Sequence, residues 1–158
     1  MSDKLKYLGY TIVFQEVPNE VTLAINISGC PHKCEGCHSK YLWDYNGDYI
    51  SDDLEKLIKK YDGLITCVCF MGGDQNLHEL MECFKVIKSH GLKTCLYSGL
   101  DDMPKHIVPA LFDYIKLGHY SEKFGGLNSP TTNQRFLKLD TDKNSFVTIT
   151  DLTHLFRK

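Results

Sequence analysis

Between Leu64 and Leu117 the chain alternates short apolar runs with amphipathic stretches, and this alternation restricts the fold more than any other feature. Leu64 to Phe70 is a strand-length apolar run followed by Gly72-Gly73, after which Leu77, Leu80, Met81, Phe84 and Ile87 recur at helical spacing as far as Ser89. His90-Gly91 ends that helix, glycine being favoured just past a helix C-terminus. The unit repeats: Lys93 to Tyr97 predicts a strand, Ser98-Gly99 a turn, about Pro104 to Phe112 a helix, and Tyr114 to Leu117 another strand. Strands that alternate with helices across short loops need crossover connections, and those make a parallel sheet.

The flanks read less regularly. Residues 10–14 and 21–28 are rich in β-branched residues and predict strands separated by the turn signal Pro18-Asn19. Residues 51–60 predict a short amphipathic helix, with Ser51 as N-cap and Leu54, Leu57 and Ile58 on one face. Gly118 to Gln134 reads as a long loop, and Phe136–Leu139 and Ser145–Ile149 as a last strand pair around Asp140 to Asn144. That turn imitates the start of a calcium loop, but Ser145 stands where such a loop needs glycine, so a hairpin turn is expected. The tail DLTHLFRK is either a docking element or a solvated end.

At 158 residues the expectation is one domain over residues 1–158, of the α/β class. An eight-unit (β/α) barrel takes about 250 residues, so the units counted here make a partial barrel shortened to about four to five βα units. With parallel strands, sites collect beyond the strand C-terminal ends, which here are Cys30 to Cys37, Gly72 to Asp74, Ser98-Gly99 and Gly118-His119. Eighteen basic against twenty acidic residues, with no basic run longer than a pair such as Lys59-Lys60, argue against a nucleic-acid partner. Neither the opening MSDKLKYLGY nor any later stretch has the apolar length of a signal peptide or a bilayer span, so no membrane and a cytoplasmic location are expected. Seven cysteines are an odd number, which suits reduced thiols, free or on metal, better than a disulfide framework.

Three of the seven stand close together in "GCPHKCEGCHS", residues 29–39. Cys30, Cys34 and Cys37 have the spacing C-x3-C-x2-C directly after a predicted strand. Structural zinc takes four ligands, and would need His38 or a distant cysteine to complete the set. An iron-sulfur cluster usually takes four cysteines as well, so three would leave one iron open to an exogenous ligand.

The C-x3-C-x2-C spacing after an early strand resembles the signature of the radical S-adenosylmethionine enzymes, and "FMGGDQ" (70–75) resembles their Gly-Gly-Glu/Asp motif. Gln75 stands where that family commonly has proline, and Gly36 replaces the usual aromatic residue before the third cysteine. Gly36, the length, "FQEVPNEVTLAINISGC" and "NSPTTNQRFLKL" together resemble the activating proteins of anaerobic ribonucleoside-triphosphate reductases, over nearly the whole chain. The resemblance implies a shortened (β/α) barrel of the radical S-adenosylmethionine type and an oxidoreductase. One 4Fe-4S cluster would sit on Cys30, Cys34 and Cys37, with S-adenosylmethionine as its open-site ligand. The backbone of Gly36, Cys37 and His38 would line the adenine; Gly72, Gly73 and Asp74 would hold the methionine end. Ser98 would contact ribose, and Lys116 would meet the methionine carboxylate. The implied partners are the large catalytic subunit of an anaerobic ribonucleotide reductase, which receives a glycyl radical, and an electron donor such as flavodoxin or ferredoxin. Two other readings are an activase of another glycyl radical enzyme and, from a different class, a small zinc-binding interaction module.

The remaining cysteines read differently. Cys67 and Cys69 alternate on one face of an apolar strand, Cys83 lies on a helix and Cys95 on the next strand, the pattern of buried core thiols rather than of a second metal or redox site. His32 and His38 are expected beside the thiols rather than on metal, and Tyr41, Trp43 and Tyr45 as loop packing.

Overall fold

The parallel core expected from the strand–helix alternation is present in the computed structural model, which describes residues 4–29 and 44–156. Its strands are β1 (Lys6–Val13), β2 (Thr22–Ile27), β3 (Asp48–Tyr49), β4 (Cys67–Met71), β5 (Lys93–Tyr97), β6 (Tyr114–Leu117), β7 (Arg135–Thr141) and β8 (Val147–Asp151). All eight join one sheet in the order β3-β1-β2-β4-β5-β6-β7-β8. Within it β2, β4, β5 and β6 run parallel, and β1, β3, β7 and β8 flank them in antiparallel pairings.

Two α-helices occur among the described residues, α1 (Ile50–Lys60) and α2 (Leu77–Ser89). They cover the sheet face that carries the in-register row Ile25, Phe70, Leu96 and Ile115, all fully buried. Leu54, Leu57 and Ile58 of α1 and Leu80, Phe84 and Ile87 of α2 pack on that row, and Phe84 meets Phe70 and Phe112 edge-on at 5.4 and 5.1 Å between centroids. Each such side chain contributes about 1.5–3 kcal/mol relative to exposure, which makes this layer the main source of stability. The opposite face carries the row Ala24, Cys69, Cys95 and Tyr114. It is covered by Val17 of the β1–β2 loop, by Leu127, and by Leu152 and Phe156 near the C-terminus.

Three expectations are corrected. The helix over Pro104 to Phe112 does not form; a single 3-10 turn, Pro109–Leu111, stands in its place. Pro109 has no N–H to continue a helix and holds Val108 extended (φ −98°, ψ 102°), while His106 has φ +62°. Ser51 does not cap α1, which starts one residue earlier: Tyr49 is its N-cap, with no side-chain cap bond. The helix start is fixed tertiarily, by burial of Ile50, by the Ile50 N–H donating to Leu5 O (3.1 Å) and by the Tyr7 hydroxyl donating to Asp53 Oδ2 (2.7 Å). In the last hairpin the first strand is longer than read and the second lies two residues later, because Asp142 Oδ1 accepts the N–H groups of Asn144 (2.8 Å) and Phe146 (2.9 Å) and moves the turn past Thr141.

Of the two readings of the tail, docking holds as far as Phe156. Thr153–Phe156 is a 3-10 turn, Thr153 Oγ1 accepts from the Phe136 N–H (2.9 Å), and the Phe156 ring lies 5.1 Å from that of Phe136. Among the described residues no helix is long and apolar enough to cross a membrane.

Candidate functional site

Parallel register brings the C-terminal ends of four strands side by side, its last partners being Asn26 of β2, Met71 of β4, Tyr97 of β5 and Lys116 of β6. The segments that follow, from Ser28, Gly72, Ser98 and Gly118, therefore share one edge of the sheet. Gly72 to Asp74, Ser98-Gly99 and Gly118-His119 are three of the four loops expected from the sequence; the fourth, Cys30 to Cys37, lies outside the described residues.

The β2 end is clamped. Ser28 is fully buried, its N–H donates to Lys6 O (2.9 Å) and its hydroxyl to Asn46 O (2.5 Å), while Asn46 N–H donates back to Ser28 Oγ (3.0 Å). Gly29 N–H donates to Asp44 O (3.3 Å), and the Tyr45 hydroxyl to Lys4 O (2.5 Å), a packing role for that ring. Residues 28–29 and 44–46 are thus tied together at the mouth of the cysteine segment. Cys30, Cys34, Gly36, Cys37 and His38, together with His32, Tyr41 and Trp43, lie outside the described residues.

The β4 end turns through two glycines in succession, Gly72 (φ 105°) and Gly73 (φ 113°), a backbone that side-chain-bearing residues rarely adopt. A Cβ on Gly72 would also meet Ile27 O at 3.4 Å, so glycine lets this turn lie against β2. Asp74 then opens a 3-10 turn, Asp74–Asn76, and Asn76 caps α2 by accepting the Glu79 N–H (3.2 Å). Because Gly72 N–H donates to Tyr97 O (3.0 Å), the carboxylate of Asp74 is delivered to the β5 end. There the Ser98 hydroxyl, 1% exposed, donates to Asp74 Oδ2 at 2.6 Å and accepts the Leu100 N–H at 3.0 Å.

The β6 end completes the rim. Lys116 Nζ donates to Ser98 O (3.0 Å) and Gly118 O (2.9 Å) and stands 5.8 Å from the centroid of the Tyr97 ring. Gly118 O also accepts from Gln134 Nε2 (3.3 Å). Of the five expected site residues among those described, Gly72, Gly73, Asp74 and Ser98 form one contiguous unit, and Lys116 joins it through the Ser98 carbonyl. Ser98 has one proton, and it goes to Asp74; a ribose hydroxyl would have to donate to the remaining lone pair.

Gln75 is the residue the sequence reading passed over as a departure from proline. Its Nε2 donates to Ser28 O at 3.0 Å, beyond the last β2–β4 register pair, and joins the Gly-Gly-Asp turn to the mouth of the cysteine segment. No spacing or periodicity announces such a tie; it needs the register of two parallel strands.

Beside Tyr97 a cleft of about 830 Å³ opens on the face opposite the helices. Gln15, Glu16 and Asn19 of the β1–β2 loop line it, with Asn128, Leu155 and Phe156 across from them. Burial holds the Tyr97 phenol well above its usual range, and the protonated hydroxyl donates to Glu16 O and pins the cleft wall.

Among the described residues no group of three or more His, Cys, Asp or Glu could hold a metal. Cys67, Cys69, Cys83 and Cys95 are buried free thiols. Burial pushes Cys83 up to about 12, helped by the charges of Glu79 and Glu82, and burial likewise raises Cys67 and Cys95. Held as neutral thiols, these three are poor metal ligands.

The described residues form an α/β domain whose mixed sheet has a four-stranded parallel centre, with acceptors gathered at one edge. Residues 20–103, more than half of the 158, match the 4Fe-4S single cluster domain family, and the chain belongs to that family. The matched span contains Cys30, Cys34 and Cys37 as well as the rim from Ser28 to Ser98, so iron-sulfur redox chemistry is the chemistry of this domain. No curated protein matches the chain. The acceptors at the rim, a carboxylate, strand-end carbonyls and a buried amide oxygen, suit the N–H groups of an amino group.

Proposed function

We propose that this protein is a radical S-adenosylmethionine activase that places a glycyl radical on the large subunit of an anaerobic ribonucleotide reductase. In this reading the sheet is a partial (β/α) barrel, cut down to about four to five βα units. When bound and reduced, the 4Fe-4S cluster supplies one electron for cleavage of S-adenosylmethionine, and the 5′-deoxyadenosyl radical so made takes a hydrogen atom from a glycine of the partner.

The chain's own residues bind, orient and exclude water. Cys30, Cys34 and Cys37 would hold the cluster, and S-adenosylmethionine would take its open position through its amino and carboxylate groups. The backbone of Gly36, Cys37 and His38 lies along the adenine. Gly72, Gly73 and Asp74 hold the amino group, with Ser98 fixing the Asp74 carboxylate. Lys116 approaches the methionine carboxylate from the β6 end. The cleft beside Tyr97 is wide enough to admit a segment of the partner. Flavodoxin or ferredoxin delivers the electron, in the cytoplasm.

One observation carries this reading: in a chain of the 4Fe-4S family, Asp74, Ser98 and Gln75 join three strand ends directly beside the start of the three-cysteine segment. Anaerobic reconstitution with iron and sulfide tests it. The expected product is a brown protein that converts S-adenosylmethionine to 5′-deoxyadenosine under reduction, with both properties lost in Cys34→Ser. A zinc-only, colourless protein that leaves S-adenosylmethionine intact would refute it.

A further inference from the structure

We propose that Gln75 is a positioning residue with two functions, its Nε2 holding Ser28 and its Oε1 accepting an N–H from the α-amino group of the bound cosubstrate; this rests on the function proposed above. The orientation of the amide is fixed by chemistry. Ser28 O is a carbonyl and can only accept, so the group 3.0 Å from it is the NH₂ end. Oε1, on the same amide carbon, is therefore placed at the junction of the β2 and β4 ends.

That oxygen is buried and has no hydrogen-bond partner among the described residues. Buried acceptors are nearly always paired, so one left over at a binding edge marks where a donor arrives. Donors already at this rim are used elsewhere: Gly72 N–H on Tyr97 O, the Ser98 hydroxyl on Asp74, and Leu100 N–H on Ser98 Oγ. The neighbouring side chain in sequence, Asp74, brings a carboxylate, whose oxygens accept as one does from Ser98. An amino group bound through its lone pair to iron keeps two N–H donors; a carboxylate oxygen takes one, and a neutral amide oxygen beside it takes the second without further charge. A proline at position 75 could neither hold Ser28 nor accept.

The experiment compares two probes on the anaerobically reconstituted protein by calorimetry: S-adenosylhomocysteine, which carries the amino-acid end, and 5′-methylthioadenosine, which lacks it. Gln75→Leu should weaken S-adenosylhomocysteine by roughly tenfold to a hundredfold. It should leave 5′-methylthioadenosine within about twofold. Gln75→Glu keeps an acceptor and should retain preference for S-adenosylhomocysteine, which keeps the test open if Gln75→Leu does not fold. Equal losses for both probes would mean that Gln75 only braces the chain, and unchanged affinities that it does neither; each overturns the proposal. If the wild-type protein, with its iron in place, binds neither probe, the S-adenosylmethionine reading itself fails.

Discussion

Replacing Gly73 by alanine tests whether the turn after β4 is built around the absence of a side chain. Gly73 has φ 113° and ψ −2°, and an added Cβ would stand 2.9 Å from Leu80 Cδ1 and 3.6 Å from Leu5 Cδ1. The backbone alone costs about 1–3 kcal/mol for a residue with a Cβ. Crowding adds about 1 kcal/mol, at the low end for overpacking because the nearest atom is a side-chain methyl, though Leu80 is fully buried and cannot swing into solvent. The expected loss is about 3 kcal/mol, or roughly 6–12 °C in the melting temperature of a chain this size. Gly91→Ala is the control: its φ is 73°, nothing lies within 4 Å of a built Cβ, and a cost of about 1 kcal/mol is expected. Both variants and the parent would be unfolded anaerobically by heat and by urea, followed by circular dichroism. In the same samples Gly73→Ala should bind S-adenosylmethionine more weakly at unchanged iron content, because Asp74 is the next residue. Equal stability losses at Gly73 and Gly91 would refute the packing argument.

Glu20→Gln probes the buried carboxylate at the start of β2, which accepts from Tyr114 (2.7 Å), Thr66 (2.8 Å) and Lys93 (3.1 Å). Burial by itself raises the Glu20 pKa, but the hydrogen bonds from Tyr114, Thr66 and Lys93, and the Lys93 charge, outweigh it and hold the pKa below the usual 4.5. Its stabilisation is therefore complete above about pH 4.5 and lost as pH falls through the lower folded value. Glu20→Gln should cost about 1–3 kcal/mol at pH 7, and the gap to wild type should close under acid; a gap independent of pH would contradict the assignment. Ser98→Ala strands the Leu100 N–H and removes the bond to Asp74, for a loss of about 1–3 kcal/mol and weaker S-adenosylmethionine binding, while Ser98→Thr should restore part of both. Parental binding by Ser98→Ala at full iron content would show that the Asp74–Ser98 bond does not serve the ligand.

The parallel core was legible because its signals are local. Residues 77–89 and 93–97 repeat apolar positions at helical and strand spacing, and α2 and β5 occupy those very ranges. The segment from Pro104 to Phe112 shows where pattern misleads. Its apolar positions, Ile107, Leu111 and Phe112, do pack against the helix-covered core, but Pro109 denies them a helix. At the site, Gly72, Gly73, Asp74 and Ser98 were recognisable by type and place, as small or acidic residues just past a strand. Ser28 and Gln75 were not, since a serine and a glutamine in those settings have no chemistry until β2 and β4 are paired in register. The start of α1 was misread for a related reason: burial of Ile50 and the bond to Leu5 O outweigh the capping preference of Ser51.

The positions of the cysteines also separate two kinds of sulfur chemistry in one small sheet. Cys69 and Cys95 are register partners in the middle of β4 and β5, and Cys67 lies two residues before Cys69, all fully buried on the face away from the helices. Burial raises the Cys67 and Cys95 pKa values and keeps their protons on, so these thiols fill space in one cluster with Tyr114 and Phe136 rather than ligate. In sequence Cys30 follows directly on Ser28-Gly29, the clamped end of β2 to which Gln75 is bonded. Metal ligation needs thiolates, and iron stabilises them only where it can reach. A chain can thus carry a thiol-rich core and an iron site without competition between them, provided the core cysteines lie mid-strand under packed aromatics and the ligands lie beyond the strand ends. In this sequence Cys67, Cys69 and Cys95 lie within strands under packed aromatics, and Cys30, Cys34 and Cys37, which the proposed function assigns to iron, follow the clamped end of β2 in sequence.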